Sequence, residues 1–150
     1  IPGERGLVGH SDADAVAHAV TDALLGAAAL GDIGTHFPPS DDRWKDADSM
    51  ALLGKAVDLL AAENYQIVNV DVTVVAETPR LAPHAAKMRQ RLAEVLGIPA
   101  RFVSIKGKTN EGMGWVGAGE GIAVHAVALI DRIEDQDSVH GRYAPELPRA

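Results

Sequence analysis

Histidine and aspartate recur at helical spacing near the start of this 150-residue chain. Asp14, His18 and Asp22 lie four residues apart, so they share one face of a helix whose other faces carry alanine, valine and leucine. A solvated helix face usually carries Lys and Glu pairs, whereas carboxylate and imidazole groups are ligands that hold Zn²⁺. The pattern predicts that His18 is either a metal ligand or a helix histidine hydrogen-bonded to a neighbouring aspartate.

Polar residues also flank this helix on both sides. Ser11 and Asp14 fit a capping box, which predicts that the helix starts just after His10. A histidine there lies beside backbone amides that favour anions, or simply precedes the N-cap. Asp32 follows the helix in an acidic glycine-containing turn, where it is either a capping carboxylate or a ligand-binding one.

A second candidate site is the glycine-rich segment of residues 107–121, which contains six glycines. Lys108 and Thr109 could donate to phosphate oxygens, and Glu111 could hold Mg²⁺ against them. The run of glycine, lysine and threonine is not the end of a Walker A motif, because Phe102 stands where that motif requires a glycine. The segment is therefore either a phosphate site of another kind or only a turn.

Composition excludes several classes of function. With no cysteine, the chain has no disulfide, no thiolate metal site and no cysteine nucleophile. A net charge of −7 argues against a nucleic-acid partner, and metal ions, amides or lysines would have to offset that charge around a phosphorylated ligand. No apolar run is long enough to span a membrane and no signal peptide is evident, so we expect no membrane partner and a cytoplasmic location.

The periodicity predicts an α+β domain at residues 1–133 followed by a polar extension at residues 134–150. Helices and strands are expected in the order helix, helix, strand, helix, strand, strand, which favours helices layered on one face of a mixed sheet. After the first helix these elements are helices at residues 49–63 and 83–96 and strands at residues 66–77, 102–106 and 122–130. Residues 35–48, rich in proline and aspartate, are expected to be irregular. The second sheet face has no covering layer, which indicates packing against other copies of the chain.

Three blocks of the sequence together carry a resemblance to a known enzyme family. They are HSDADAVAHAVTDALLGAAALGDIG, NVDVTVVAETPRLAPHAAKMR and KTNEGMGWVGAGEGIAVHAVALI. In this order, over residues 1–130, they resemble 2-C-methyl-D-erythritol 2,4-cyclodiphosphate synthase, an enzyme of non-mevalonate isoprenoid biosynthesis. The resemblance implies a homotrimer whose sheets pack around the trimer axis and whose active sites lie between subunits.

The resemblance also implies the reaction. A bacterial phosphorus–oxygen lyase would convert 4-diphosphocytidyl-2-C-methyl-D-erythritol 2-phosphate to 2-C-methyl-D-erythritol 2,4-cyclodiphosphate. The 2-phosphate attacks the β-phosphate and CMP leaves. Zn²⁺ would bind the β-phosphate, and Mg²⁺ or Mn²⁺ would lie between the two phosphates of the diphosphate, so that positioning and charge neutralisation carry the catalysis.

Carried over by position, the resemblance implies a role for each site residue. His10 and Thr109 would stabilise the transition state, and Ser11 would help to bind the methylerythritol phosphate. His18 would be a zinc ligand and Glu111 would bind the second metal. The remaining substrate-binding residues would be Asp32, Ile33 and Gly34 at the ribose or sugar, Phe37 and Asp41 in a loop that closes over the methylerythritol, Ala76, Pro79, Arg80, Leu81 and Ala82 in the cytidine pocket of the neighbouring subunit, and Lys108, Asn110 and Trp115 in the glycine-rich segment.

The sequence departs from the family pattern in three places. The family's other two zinc ligands form an Asp-x-His pair, which is expected upstream of Ile1. The frequent Thr-Thr-Thr-Glu reads Lys-Thr-Asn-Glu at residues 108–111, and Ala118 stands where the family often has arginine. The alternatives to the synthase are a trimeric CDP- or diphosphate-binding module without a complete zinc site, and a small-molecule sensor trimer.

Overall fold

The computed structural model describes residues 14–45 and 47–133. In chain order the elements are helices α1 (Ala15–Ala27), α2 (Ile33–His36) and α3 (Ser49–Ala62), strand β1 (Tyr65–Val75), helix α4 (Ala85–Leu96), strand β2 (Val103–Lys108), helix α5 (Gly114–Gly117) and strand β3 (Ala123–Arg132). Single turns of 3₁₀ helix lie at Asp42–Trp44 and Ala100–Phe102. The predicted α+β class and the order of the long elements are confirmed. None of the helices within the described ranges has both the length and the apolar character to cross a bilayer.

The sheet is mixed, with β1 in the centre of the order β2-β1-β3. Strand β1 pairs parallel with β2 and antiparallel with β3. Val75 of β1 pairs with Lys108 of β2. Because the two strands run in the same direction, the segments that follow these residues leave the sheet at the same edge. The backbone N–H of Ala76 extends the pairing by donating to the carbonyl of Lys108 at 2.9 Å. Two chain segments that are far apart in sequence therefore start side by side.

The hydrophobic core lies between one face of this sheet and the three long helices. Alternation along β1 points Val70, Val72 and Val74 at the helices, and each is at most 2% exposed. The helices bury apolar stripes at helical spacing, such as Leu53 and Leu60 of α3. Burial of these side chains supplies most of the stabilisation and fixes the register of β1.

The other sheet face is uncovered in the single chain. Val127 and Leu129 of β3 are 70% and 56% exposed. On the same face, the Lys106 ammonium lies 2.6 Å from a carboxylate oxygen of Asp71. In the strand register, Asp71 is opposite Ser104 and Thr73 is opposite Lys106. This arrangement agrees with the expectation that helices cover one face only.

Aspartates start four successive helical segments, namely Asp14 before α1, Asp32 before α2, Asp41 before the first 3₁₀ turn and Asp48 before α3. Each side chain accepts a hydrogen bond from a first-turn backbone N–H, which has no partner within the helix itself. A negative charge is also favoured there by the helix dipole. Much of the acidic character of the first third of the described chain is thus used for capping.

The capping pattern corrects two expectations. Helix α1 begins at Ala15 with Asp14 as its N-cap, so the start just after His10 with a capping box from Ser11 was wrong. Asp14 is the N-cap because its Oδ1 atom accepts the backbone N–H groups of Val16 and Ala17, each at 3.0 Å. Residues 35–48 are likewise not wholly irregular, since they contain the end of α2 and a capped 3₁₀ turn.

The ends of the other elements follow the predicted signals closely. Helix α3 is followed by Asn64 in the left-handed region (φ +60°) and α4 by Gly97 (φ +68°), as expected for C-terminal positions. Strand β2 continues to Lys108, two residues beyond its predicted end, because pairing with β1 holds Gly107 and Lys108 in the ladder. The predicted extension at residues 134–150 lies outside the described residues.

Thr35 favours the charged form of Asp32 at the start of α2. Its backbone N–H and its hydroxyl both donate to Asp32 Oδ1 at 2.7 Å. These bonds, the hydroxyl first, lower the pKa of Asp32 below its ordinary value of 3.8. Because the folded carboxyl releases its proton more readily than the unfolded one, its contribution to stability is present above pH 3.8 and is lost as the pH falls through the lowered pKa.

Leu53 is fully buried in α3, whereas Leu59 of the same helix is half-buried. We expect Leu53→Ala to lower the free energy of unfolding by about 2–5 kcal/mol, because it removes apolar contacts and leaves a cavity. Leu59→Ala is the matched control and should cost clearly less. Urea unfolding followed by circular dichroism measures both, and equal losses would contradict the position of the core.

Thr35→Val removes the hydroxyl but keeps the backbone N–H, so we expect the pKa of Asp32 to rise toward 3.8. Thr35→Ser restores a hydroxyl and should bring the pKa back down. A carboxyl-carbon NMR titration measures both variants. If the valine variant titrates like the unchanged protein, the hydroxyl does not make this hydrogen bond.

Candidate functional site

The predicted site residues fall into two groups in the structure. One group lies on α1 and the segment after it, and the other lies where β1 and β2 leave the sheet. No hydrogen bond described below joins one group to the other. His10 and Ser11 lie outside the described residues, so their roles stay predictions.

In the first group, the polar face of α1 caps its own helix and connects to two other elements. Asp14 caps the helix itself, and Asp22 Oδ1 accepts the backbone N–H of Ile33 at 2.8 Å. Between them, the Nε2 atom of His18 lies 3.1 Å from the hydroxyl oxygen of Ser49, a fully buried residue at the start of α3. The half-buried ring of His18 is thus oriented from α3, and Asp22 ties α1 to the turn that precedes α2.

The turn that carries Asp32, Ile33 and Gly34 is held from both sides. Gly31 adopts φ +91°, which permits the reversal after α1. His36 Nε2 lies 2.7 Å from the carbonyl oxygen of residue 30, while the aspartate caps α2 through one oxygen. The structure is compatible with both predicted roles of the Asp32 carboxylate, capping and ligand binding, because this group caps α2 and is also exposed to solvent.

Phe37 and Asp41 are engaged within their own loop. Phe37 is 9% exposed and its ring meets that of Trp44 edge to face, with 5.1 Å between the centroids. The Asp41 carboxylate accepts from the Arg43 guanidinium at 2.5 Å, and this partner lowers the pKa of Asp41 below its ordinary value. Lys55 of α3 lies over the Trp44 ring. The structure therefore does not bring these two side chains to the other site residues.

The second group is assembled by the parallel pair of strands. Residues 76–82 follow β1 and pack beside the end of β2, where a Cβ atom on Gly107 would lie 3.3 Å from Cβ of Leu81. Ala76 is buried, Pro79 is half-buried after a cis peptide bond, and Arg80 and Ala82 are exposed. The predicted cytidine-binding residues thus form one loop directly beside Lys108, the first predicted phosphate-binding residue.

Glu77 joins this loop to the glycine-rich turn, although no pattern in the sequence indicated a role for it. Its Oε1 atom accepts the backbone N–H of Asn110 at 2.8 Å and that of Gly112 at 3.3 Å. The side-chain amide of Asn110 donates to the backbone carbonyl of Met113 at 2.6 Å. Asn110, predicted to bind substrate, is thus used to build the turn. No local signal in the sequence could have identified the bonds of Glu77, because its partners lie 33 and 35 residues away.

The turn presents three polar side chains to solvent, namely those of Lys108, Thr109 and Glu111. They supply an ammonium, a hydroxyl and a carboxylate next to the loop of residues 76–82. Trp115 of the following helix is 55% exposed. A cation and a hydroxyl can donate to phosphate oxygens, and an exposed carboxylate can hold a divalent cation against them.

The two predicted metals fit the described residues unequally. Within residues 14–45 and 47–133, no group of three His, Asp or Glu side chains is arranged to hold a metal ion. His18 offers one imidazole, and a tetrahedral zinc site needs at least three protein ligands, so these residues alone do not make it. Mg²⁺ is usually held by one or two carboxylates together with substrate phosphates, which Glu111 fits.

Comparison with known proteins gives a consistent result. The sequence profile of the YgbB family matches residues 1–131. The 2-C-methyl-D-erythritol 2,4-cyclodiphosphate synthase of Symbiobacterium thermophilum is 61% identical over 130 residues, which cover 87% of this chain and 83% of that protein. These matches agree with the synthase interpretation, and none favours an impaired binding module.

Solved structures with related sequences share the fold of this chain. The bifunctional IspDF of Campylobacter jejuni matches with a TM-score of 0.83 at 37% identity, over 86% of this chain and 35% of that one. A 2C-methyl-D-erythritol-2,4-cyclodiphosphate synthase in its CDP-bound form matches with a TM-score of 0.77 at 35% identity, over 84% of this chain and 81% of that one. On the sequence profile, the relatives and the fold together, this chain is an enzyme that belongs to the YgbB family.

Proposed function

We propose that this chain converts 4-diphosphocytidyl-2-C-methyl-D-erythritol 2-phosphate to 2-C-methyl-D-erythritol 2,4-cyclodiphosphate and CMP. The observation that carries the proposal is the sheet edge at which the loop of residues 76–82 meets the polar turn of residues 108–111. A nucleoside diphosphate needs a surface for its base beside groups that bind phosphate, and this edge places the loop beside the exposed side chains of Lys108 and Thr109. The names of the relatives and the CDP-bound structure support the same substrate class.

The chemistry is an intramolecular phosphoryl transfer, which makes the chain a phosphorus–oxygen lyase. An oxygen of the 2-phosphate forms a bond to the β-phosphorus, and the bond from that phosphorus to the bridging oxygen breaks. CMP leaves with the bridging oxygen. No protein nucleophile is required, so the residues act by positioning and by charge stabilisation. Lys108 and Thr109 would donate to phosphate oxygens, and His10 would support the transition state.

The substrate-binding roles extend to both groups of residues. Asp32, Ile33 and Gly34 would contact sugar hydroxyls, while Ser11 would meet the methylerythritol phosphate. The cytidine would bind against the loop that contains Pro79, with its neighbours Ala76, Arg80, Leu81 and Ala82. Phe37 and Asp41 would reach the methylerythritol after leaving their present partners, and Trp115 would lie next to the glycine-rich turn.

Two metals belong to this proposal: when bound, Zn²⁺ and Mg²⁺ or Mn²⁺ would neutralise the charge that develops on the phosphates. His18 would be one zinc ligand, held in orientation by Ser49. Glu111 would hold the second cation through its exposed carboxylate.

We also propose that the chain works as a homotrimer with active sites between subunits. The exposed sheet face that carries Val127 and Leu129 supports it. An interface on that face would bury this apolar surface. A cytoplasmic location remains part of the proposal.

The activity is tested by CMP release from the cytidine-linked substrate in the presence of Zn²⁺ and Mg²⁺. We expect turnover by the intact protein with the upstream Asp-x-His pair, and for His18→Ala in it a loss of bound zinc and a decrease in CMP release on the order of 100-fold or more. His84→Ala, at a histidine given no ligand role, is the matched control and should keep both. A protein that binds CDP but releases no CMP would instead be a binding module, and unchanged zinc in His18→Ala would remove the ligand assignment.

Assembly is tested by a charge on the exposed sheet face. We expect Val127→Glu to shift the mass measured by analytical ultracentrifugation from trimer toward monomer and to abolish CMP release, because a buried unpaired carboxylate is strongly disfavoured. Ala51→Glu places the same charge on the exposed surface of α3 and should leave the mass unchanged. A fully trimeric Val127→Glu would show that this face lies outside the interface.

A further inference from the structure

Glu77 is the one acidic side chain of the described chain that bridges the two loops at the functional sheet edge by hydrogen bonds. It follows β1 by two residues and is half-buried. One oxygen, Oε1, accepts both the Asn110 and the Gly112 backbone N–H, at 2.8 and 3.3 Å. Hydrogen bonds to an ionised carboxylate are stronger than bonds between neutral groups, so this contact is an anchor for the turn.

The turn needs such an anchor because its backbone is unfavourable. Glu111, between the two donors, has φ +54°, a left-handed conformation that side-chain-bearing residues seldom adopt. Gly112 follows at φ +73° and is approached closely by Gly117, where an added Cβ would lie 2.1 Å from the Gly112 carbonyl carbon. N–H groups that converge in such a turn form a site for an anion, and the Glu77 carboxylate occupies it.

This occupancy has two consequences for the ligand. The amides of Asn110 and Gly112 are already satisfied, so phosphate oxygens must find donors elsewhere, and Lys108 and Thr109 are the exposed ones in the turn. In addition, the exposed carboxylate of Glu111 is held between two amides that are fixed to the loop of residues 76–82. The position of the cation-binding group is thus set by the loop that would receive the base.

We propose that Glu77 is a positioning residue that fixes the cation-binding turn, with Glu111 and Thr109, relative to the nucleoside-binding loop of residues 76–82. The inference rests on the proposed function for the identity of the ligands. It assigns Glu77 no contact with the substrate. Its effect should therefore fall on divalent-cation binding and on turnover more than on the affinity for the nucleotide.

The variants are Glu77→Ala, which removes the acceptor, and Glu77→Gln, which keeps a carbonyl oxygen in place of Oε1. Glu63→Ala removes an exposed carboxylate at the end of α3 and is the matched control. Amide hydrogen exchange at Asn110 and Gly112, read by NMR, tests the anchor without any ligand. Titration of Mn²⁺ into the CDP-loaded full chain, followed by electron paramagnetic resonance, tests the effect on the cation.

In Glu77→Ala we expect both amides to exchange at least about tenfold faster and the Kd for Mn²⁺ to rise by about 10- to 100-fold, while the Kd for CDP alone changes only a few-fold. In CMP release, kcat should fall more than KM rises. Glu77→Gln should restore most of the protection and of the Mn²⁺ affinity, because a neutral acceptor still serves both N–H groups. Glu63→Ala should match the unchanged chain throughout.

The proposal is overturned if exchange accelerates in Glu77→Ala but the Kd for Mn²⁺ does not change, because Glu77 would then only stabilise the fold locally. It is also overturned if neither quantity changes, or if Glu77→Gln is as impaired as Glu77→Ala. Should the unchanged chain release no CMP, the proposed function fails separately. The exchange and Mn²⁺ measurements still decide the role of Glu77 in that case, since neither requires turnover.

Discussion

The parallel pairing of β1 with β2 is the constraint on which the candidate site depends. A parallel pair requires a crossover, which α4 provides, and it makes both strands end at the same edge of the sheet. The register of this pair is fixed by the core, because a shift of one residue would turn Val70, Val72 and Val74 to the opposite face. The loop of residues 76–82 and the turn of residues 108–112 are therefore aligned by the buried side chains of β1. Packing in the core sets the geometry of the site.

The aspartates illustrate how one residue type serves two purposes. A helix N-terminus attracts a capping carboxylate for the same reason that it attracts a bound anion, since unpaired N–H groups point at both. Asp14 and Asp48 are used for capping, and Asp41 adds a guanidinium partner in Arg43. Asp32 takes both Thr35 bonds on one oxygen and stays exposed, and Asp48 likewise caps through one oxygen and is exposed. An exposed capping carboxylate of this kind keeps an oxygen that can accept from a ligand hydroxyl.

Local signals in the sequence predicted the helices and strands. The features that were not predicted depend on contacts between residues that are far apart in the chain. Periodicity predicted β1 to within two residues at each end, and Asn64 and Gly97, which adopt left-handed conformations, follow α3 and α4 close to their predicted ends. The start of α1 was misplaced because both Ser11 and Asp14 carry a capping signal, and only the folded backbone distinguishes them. Blocks of sequence also carried the family resemblance and hence the candidate residues. The anchor at Glu77 was missed because its partners are more than thirty residues away, across a strand pairing that no local pattern reveals.

The uncovered sheet face combines apolar and charged groups, and this mixture limits how it can be covered. Val127 and Leu129 offer apolar area that favours burial, and apolar contact alone does not select one orientation. Asp71 and Lys106 lie on the same face, and the pKa of Asp71 is lowered because the ammonium stabilises its charge. Burying such a pair is penalised unless its remaining donors and acceptors are met. In the proposed trimer, a second copy would therefore either leave the pair hydrated or supply matching polar groups. The valine and leucine would favour association, and the ion pair would restrict its geometry.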